Sequence, residues 1–117
     1  KKIAEKFLQA YGKEKFDVSI AFVGDAAMRV LNKNYRKKDK ATDVLSFAGS
    51  GKYLGEIIID YAQIKIQAKA YKNSVKDLLV FILVHGLLHL LGFNDKTEKG
   101  RREMDDEGCN FIKISKL

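Results

Sequence analysis

The spacing of hydrophobic positions along the chain predicts eight secondary-structure elements in the order α-β-α-β-β-α-α-α. Residues 2–11 carry apolar side chains at helical intervals, and Gly12 ends this stretch. Residues 17–23 alternate apolar and polar side chains, as a strand with one buried face does. A helix capped by Asp25 is expected next. Its inward-facing side chains are predicted to be Met28, Leu31 and Tyr35.

The middle of the chain predicts two paired strands and two capped helices. Residues 42–48 and 54–60 have the composition of strands, and the second is rich in β-branched side chains. The short turn at 49–52 favours an antiparallel pair, because parallel strands need a long crossover. Asp60 and Ser74 stand where side chains cap the two helices that follow.

The helix that begins after Ser74 is hydrophobic on nearly all sides. The apolar run over residues 78–93 is shorter than the roughly 20 residues that span a membrane, so a buried core helix is expected. Gly92 is placed to end it, and a charged helix is expected over residues 98–114. The predicted inner face of this last helix consists of Met104, Phe111 and Ile112. These elements predict an α+β fold, in which a small mixed sheet packs against several helices with a central buried helix.

Composition favours one globular domain over residues 1–117. Hydrophobic residues make up 46% of the chain and charged residues 32%, proportions typical of a soluble folded protein. The single cysteine excludes an internal disulfide framework and favours a reducing, cytoplasmic setting. The net charge of +7 suits an anionic partner, nucleic acid before others, although a basic surface without such a partner has the same charge. Because Lys1 is not an initiator Met, we expect native sequence, including a further strand, before it.

The stretch HGLLHLLGFND, residues 85–95, contains a candidate metal site. His85 and His89 are four residues apart, so on a helix they project from one face. Gly92 allows the chain to reverse, which would bring Asp95 back toward the two imidazoles. Two imidazoles and a carboxylate suit Zn²⁺ and leave a fourth position for water. The alternative is a pair of buried histidines with hydrogen-bond partners, since unpaired burial of both would be costly.

Three sequence blocks resemble the YbeY family of bacterial ribosomal-RNA maturation factors, which are metal-dependent endoribonucleases. HGLLHLLGFND is similar to the family signature H-G-x-L-H-L-x-G-Y-D-H. LNKNYRKKDKATDVLSF, residues 31–47, resembles the block L-N-x-x-Y-R-x-K-D-x-x-T-[DN]-V-L-S-F, and LGEIII resembles L-G-D-I-x-I. The similarity covers residues 17–112 and departs from the family at two positions that matter. Asp95 stands where the family has its third histidine, and Glu56 where it usually has aspartate.

The resemblance implies a zinc-dependent endoribonuclease that acts on single-stranded RNA in 16S rRNA 3′-end maturation and ribosome quality control. The implied partners are rRNA and the small ribosomal subunit, with no membrane. His85, His89 and Asp95 would hold the ion. Arg36 matches the family's functional arginine, and Glu56 is a weak candidate for a general base. The residues predicted to contact RNA are Arg29, Lys33, Arg36, Lys37, Lys38, Lys65, Lys69 and Lys72.

Several alternatives remain open at the level of sequence. The protein is either this enzyme, a non-catalytic RNA-binding ribosome-assembly factor with a structural or weakened metal site, or a hydrolase of another small phosphate or amide substrate. Arg36 either contacts phosphate or pairs with Asp39 or Asp43. Tyr35 and Tyr53 are candidates to stack on bases, unless Tyr35 is a core residue. The spacing of Lys65, Lys69, Lys72 and Lys76 predicts one cationic helical face, which is also typical of a solvated surface.

A peptidase mechanism is disfavoured by the residue that follows the first histidine. Zinc proteases with similar histidine spacing carry a glutamate there as general base. This chain has Gly86, which cannot transfer a proton.

Overall fold

The computed structural model describes residues 2–114 and follows the predicted order of elements. The helices and strands are α1 (Lys2–Ala10), β1 (Asp17–Val23), α2 (Asp25–Arg36), β2 (Val44–Ala48), β3 (Tyr53–Asp60), α3 (Tyr61–Ala70), α4 (Val75–Leu90) and α5 (Glu98–Ile114). The prediction of an α+β fold is confirmed. Strand β2 begins two residues later than predicted, and α3 ends two residues before Lys72.

The sheet is mixed and has β3 at its centre. The strand order is β1-β3-β2, with β1 parallel and β2 antiparallel to β3, as the short turn between β2 and β3 predicted. Successive side chains of β3 point to opposite faces. Ile57 packs toward α4, whereas Ile58 packs in a small cluster with Met28 of α2. The two faces of the sheet are therefore covered by different helices, and β2 forms one edge.

Helix α4 is the centre of the hydrophobic core. It packs against α1, α3, α5 and the sheet, so its sides are covered by different elements. Its buried residues are Val80, Ile82, Leu83, Val84, Gly86, Leu87 and Leu88. The central buried helix predicted from its uniformly apolar sequence is thus observed.

No single described helix is long and apolar enough to cross a membrane. Helices α3 and α4 meet the length and composition requirements only when they are taken together, and their axes differ by 120°.

Two of the three predicted helix caps are confirmed. The backbone N–H groups of Ala62 and Gln63 donate to Oδ1 of Asp60, and that of Asp77 donates to Oγ of Ser74. The third prediction is wrong, because Gly24 occupies the N-cap position of α2 and no side chain caps this helix. Asp25 is instead the first residue of α2, and its carboxylate accepts a hydrogen bond from the side chain of Gln63.

Tyr35 was predicted to face inward and is in fact 66% exposed. Met28 and Leu31 do contact the small cluster beside α2, whereas Tyr35 lies in the last turn of the helix, outside that cluster. Its ring meets the ring of Phe47 edge to face, with centroids 4.9 Å apart. Helical spacing puts Met28, Leu31 and Tyr35 on the same face of α2, but the cluster that Met28 and Leu31 join does not reach the last turn, where Tyr35 lies.

A hydrogen bond from Tyr11 to Glu107 joins α5 to the turn after α1. Burial and this hydrogen bond raise the pKa of Tyr11 to about 12 from 10.0. We expect Tyr11→Phe to lower the free energy of unfolding by about 1–2 kcal/mol at neutral pH. Because the pKa is higher in the folded state, this stabilisation is complete below pH 10 and is lost as the pH rises toward 12.

Urea denaturation of wild type and Tyr11→Phe at neutral pH and at about pH 11 measures this difference. Tyr71→Phe is the control, since Tyr71 is 73% exposed. A stability difference for Tyr11→Phe that stays constant across this pH range would show that the hydroxyl proton is not what stabilises the contact.

Candidate metal centre and groove

The C-terminal half of α4 presents two imidazoles on one face. His85 and His89 lie one helical turn apart, with ring centroids separated by 4.8 Å and ring planes at 83°. Their side chains are 17% and 30% exposed, so both rings are accessible from one side. Neighbouring residues of this half of the helix, among them Val84, Leu87 and Leu88, are buried in the core, which fixes the direction of the two rings.

A sharp turn after α4 brings the third donor back to the histidines. Gly92 has a φ of +103°, a conformation that favours glycine, and the chain reverses there. Oδ2 of Asp95 lies 3.4 Å from Nε2 of His85 and 3.5 Å from Nε2 of His89. The backbone N–H of Lys96 donates to Oδ1 of Asn94, which braces the turn. The predicted convergence of His85, His89 and Asp95 is confirmed.

The separations between these donor atoms fit a single divalent ion. A tetrahedral zinc ion with bonds of about 2.0–2.1 Å places its ligand atoms roughly 3.3–3.4 Å from one another. The observed distances of 3.4 and 3.5 Å from the carboxylate to the two imidazoles are close to this value. One ligand atom from each of the three residues lies within 4.8 Å of the other two, so a single ion could contact all of them.

The electrostatic surroundings favour the protonation states that metal ligation requires. Burial, followed by the neighbouring His85, lowers the pKa of His89 below 6.5, against the opposing effect of Asp95. Burial alone would raise the pKa of Asp95, but the two histidines outweigh burial and hold it below 3.8. Near neutral pH, His89 is therefore a neutral donor and Asp95 an anionic one.

The three donors open into a groove of about 650 Å³ along the edge of the sheet. Residues of β2 and α4 line it, together with Tyr35 and Arg36 from the last turn of α2. The alternative that Arg36 pairs with Asp39 or Asp43 is wrong. Asp39 pairs instead with Arg29 at 2.7 Å, and within residues 2–114 no carboxylate lies within ion-pair distance of Arg36.

Glu56, the weak candidate for a general base, is not brought to this groove. It pairs across the sheet with Phe47, and both side chains point to the face that α2 covers. The next residue, Ile57, is the one that packs toward α4 and its histidines. The alternation of side chains along β3 thus separates Glu56 from the three donors by the thickness of the sheet.

The predicted RNA-contacting residues are not brought together in the groove. Arg36 lines the groove, whereas Arg29 is engaged with Asp39 outside it. The lysines among them are all exposed, and none lines the groove: Lys33, Lys37, Lys38, Lys65, Lys69 and Lys72. The prediction of one cationic helical face is wrong, because α3 ends before Lys72, which adopts a φ of 57°, and Lys76 belongs to α4.

Sequence reasoning missed the polar wall that β2 contributes. Ser46 lines the groove, and its hydroxyl lies 3.4 Å from the carbonyl oxygen of Gly86 on α4. Thr42 and Asp43 line it as well. The alternation of polar and apolar positions around Leu45 and Phe47 was the available signal, but it does not reveal which helix each face meets.

Gly86 allows α4 to approach the sheet closely. A Cβ atom at this position would lie 3.2 Å from Ile57 and 3.3 Å from Ser46, both tight contacts in the core. A glutamate at this position would therefore press into the sheet. This packing agrees with the expectation that a peptidase mechanism based on such a glutamate is disfavoured.

Together, the fold and the site define a small α+β domain with two histidines and an aspartate clustered at the end of a central buried helix. Comparison with known proteins identifies the group to which this domain belongs. The sequence matches the family described as endoribonuclease YbeY over residues 1–114. The chain belongs to this family.

Individual relatives give the extent of the similarity. The endoribonuclease YbeY of Aquifex aeolicus is 40% identical over 125 aligned positions, covering 99% of this chain and 80% of the relative. That of Geobacillus sp. (strain WCH70) is 42% identical, covering 75% of this chain and 65% of the relative. The chain thus spans about two thirds of the Geobacillus protein. The solution structure of TM1509 from Thermotoga maritima has a TM-score of 0.68 at 25% identity, covering 95% of this chain and 77% of that one.

Proposed function

We propose that this protein is a metal-dependent endoribonuclease that cleaves single-stranded RNA. Its relatives are described as endoribonuclease YbeY, which supports RNA as the substrate. The observation that carries the proposal is the convergence of His85, His89 and Asp95 in a groove that also holds Arg36. Zinc is the proposed ion, because two imidazoles and a carboxylate suit it and leave a position open.

Different residues of the site are proposed to bind the metal ion and the phosphate. His85, His89 and Asp95 would hold the ion, which when bound supplies Lewis-acid chemistry and activates water. Arg36 would donate hydrogen bonds to oxygens of the scissile phosphate and offset the charge that develops there in the transition state. Among residues 2–114 no carboxylate pairs with Arg36, which leaves its guanidinium available for this role. The packed α4 helix keeps the two imidazoles oriented before substrate arrives.

The exposed lysines would increase the affinity for RNA without distinguishing one nucleotide sequence from another. The chain carries a net charge of +7, and Lys33, Lys37 and Lys38 lie in or just after the same helix as Arg36. Contacts of this kind to phosphates release counterions, so RNA binding should weaken steeply as the salt concentration rises. We propose 16S rRNA 3′-end maturation and ribosome quality control in the cytoplasm, with the small ribosomal subunit as partner, as the setting in which this activity is used. Co-sedimentation of the protein with purified small subunits tests this setting.

Metal content and cleavage measured on the same preparation test the proposal. Protein purified without chelators should contain close to one zinc ion per chain and should cleave a single-stranded RNA faster than a duplex of the same sequence. Chelation should abolish cleavage, and added zinc should restore it. A wild-type protein that binds zinc tightly but cleaves neither RNA would contradict the proposed activity.

The alternative to an enzyme is a non-catalytic RNA-binding factor, and the presence of a carboxylate at position 95 in place of the family's third histidine supports that alternative. The variant Asp95→His distinguishes the two. Three neutral imidazoles leave more positive charge on an ion than two imidazoles and a carboxylate do. We therefore expect Asp95→His to cleave RNA at lower pH than wild type, with both proteins active. An inert wild type with an active Asp95→His variant would instead assign the native chain to the binding factors.

A further inference from the structure

Tyr35 exposes a large aromatic ring at the groove, next to the partly buried ring of Phe47. Tyr35 is 66% exposed although it lies beside Phe47, with the two rings at 66° and their centroids 4.9 Å apart. Both residues line the groove that holds the three donors. A large aromatic surface left open at a polar groove is a surface on which a planar ligand can stack.

The ring of Phe47 supports the ring of Tyr35 on one side. Phe47 is partly buried against the cluster of Met28, Leu45 and Ile58, so the ring that Tyr35 contacts is itself anchored in the sheet. The edge-to-face contact restricts the orientation of the Tyr35 ring and leaves much of its surface open to the groove. A stacking surface that is already oriented loses little conformational entropy when a base binds.

The position of Tyr35 relative to the phosphate-binding group suggests what stacks there. Tyr35 and Arg36 are consecutive residues in the last turn of α2, and both face the groove. A phosphate on Arg36 would therefore place a neighbouring nucleotide within reach of Tyr35. Bases in a duplex are stacked on one another and are not available to a side chain, whereas a single strand can offer an unstacked base.

We infer that Tyr35 forms a base-stacking subsite for an unpaired nucleotide next to the phosphate that Arg36 holds. This inference deepens the proposed function and rests on it for the substrate, single-stranded RNA. The subsite selects for the presence of a base and not for its identity, because every base has a face that can stack on an aromatic ring. Tyr35 is thus a specificity-determining residue for single strands, and the metal ligands are not required for this contact.

The test compares two probes of equal charge. A short single-stranded oligoadenylate has bases, whereas an oligomer of the same length with abasic ribose at every position does not. Binding is measured by fluorescence anisotropy in the presence of a chelator, so no cleavage takes place. Since stacking on one aromatic side chain is worth about 1–3 kcal/mol, Tyr35→Ala should weaken oligoadenylate binding roughly 5- to 160-fold. Binding of the abasic oligomer should be unchanged.

Two control variants separate stacking from other effects. Tyr35→Phe retains the ring and should bind both probes as wild type does. Tyr71→Ala removes an aromatic side chain of similar exposure at the end of α3, outside the groove, and should also have no effect. Thermal unfolding of each variant verifies that the fold is intact.

Three outcomes would overturn the subsite: equal weakening of both probes by Tyr35→Ala, no weakening of either, or equal affinity of wild type for the two probes. A failure of the nuclease proposal gives a different result. In that case zinc-loaded wild type does not cleave RNA, while the preference for bases remains and still depends on Tyr35.

Discussion

Replacing His89 by alanine is expected to abolish both metal binding and RNA cleavage. The substitution removes one of the three side chains proposed to bind the ion. Mutating a residue that only hydrogen-bonds to a metal ligand already lowers metal affinity by about 10- to 100-fold, so losing a ligand itself should cost more. We therefore expect zinc affinity to fall by at least ~100-fold and cleavage to fall to background. Isothermal titration with zinc and a single-stranded RNA cleavage assay measure the two effects.

The same variant provides a test that does not depend on activity. A ligand that binds only the folded state stabilises it by about 2.7 kcal/mol at a concentration of 100 times Kd. Zinc should accordingly raise the Tm of wild type and leave that of His89→Ala almost unchanged. The variant should still fold, because His89 is partly exposed and lies at the end of α4. A variant that keeps the zinc-dependent rise in Tm would show that the ion, if bound, is held elsewhere.

Acidity should have a parallel effect on metal binding. Protons compete with the ion for the imidazoles, and the pKa of His89 lies below its ordinary value of 6.5. Zinc affinity should therefore fall as the pH decreases, and His89 should begin to bind protons only at a lower pH than an ordinary histidine does. Zinc titrations at a series of pH values measure this decline. Asp95, whose pKa is also lowered, stays ionised throughout this range and does not contribute to the decline.

The second large effect is expected from Arg36→Ala. A preorganised donor that stabilises developing charge typically contributes about 100- to 1000-fold to kcat, and we expect a loss of this size. Zinc content and Tm should remain at wild-type values, because Arg36 is not a ligand and forms no ion pair within the described residues. Arg36→Lys should recover only part of the rate, since an ammonium cannot make the two parallel hydrogen bonds of a guanidinium.

Arg29→Ala is the matched control for this prediction. Arg29 lies in the same helix, but its guanidinium pairs with Asp39 outside the groove and is well exposed. Exposed ion pairs contribute little to stability, so this variant should fold normally and lose at most a small part of its RNA affinity. If Arg29→Ala reduces kcat as much as Arg36→Ala does, the effect is one of overall charge and not of a phosphate contact in the groove.

Much of the fold follows from local patterns. The order of elements, the antiparallel pairing of β2 with β3 and the buried α4 were all predicted, because periodicity and turn length act over a few residues. The caps formed by Asp60 and Ser74 were predicted for the same reason. The prediction for Asp25 was wrong by a single position, since Gly24 adopts the extended conformation of an N-cap residue and α2 begins directly after it.

The candidate site was predictable where it is local and unpredictable where it is not. His85 and His89 share a helix, and Asp95 follows a glycine turn, so their convergence depends on a single short segment. Glu56 was assigned to the site without knowledge of which face of β3 meets α4. Its true position depends on the packing of the sheet between α2 and α4, which no local pattern encodes.

By itself the sequence determined the donor set, the helix that carries it and the basic character of the chain, because each of these depends on residue types and on spacings within one segment. Only the tertiary structure decided that Arg36 and Tyr35 share a groove with the three donors. It also decided that Arg29 is paired and that the lysines predicted to form one stripe are divided between separate elements. The physical reason is that these relations join segments far apart in the chain, and their geometry is set by how α2 and α4 pack on opposite faces of one sheet.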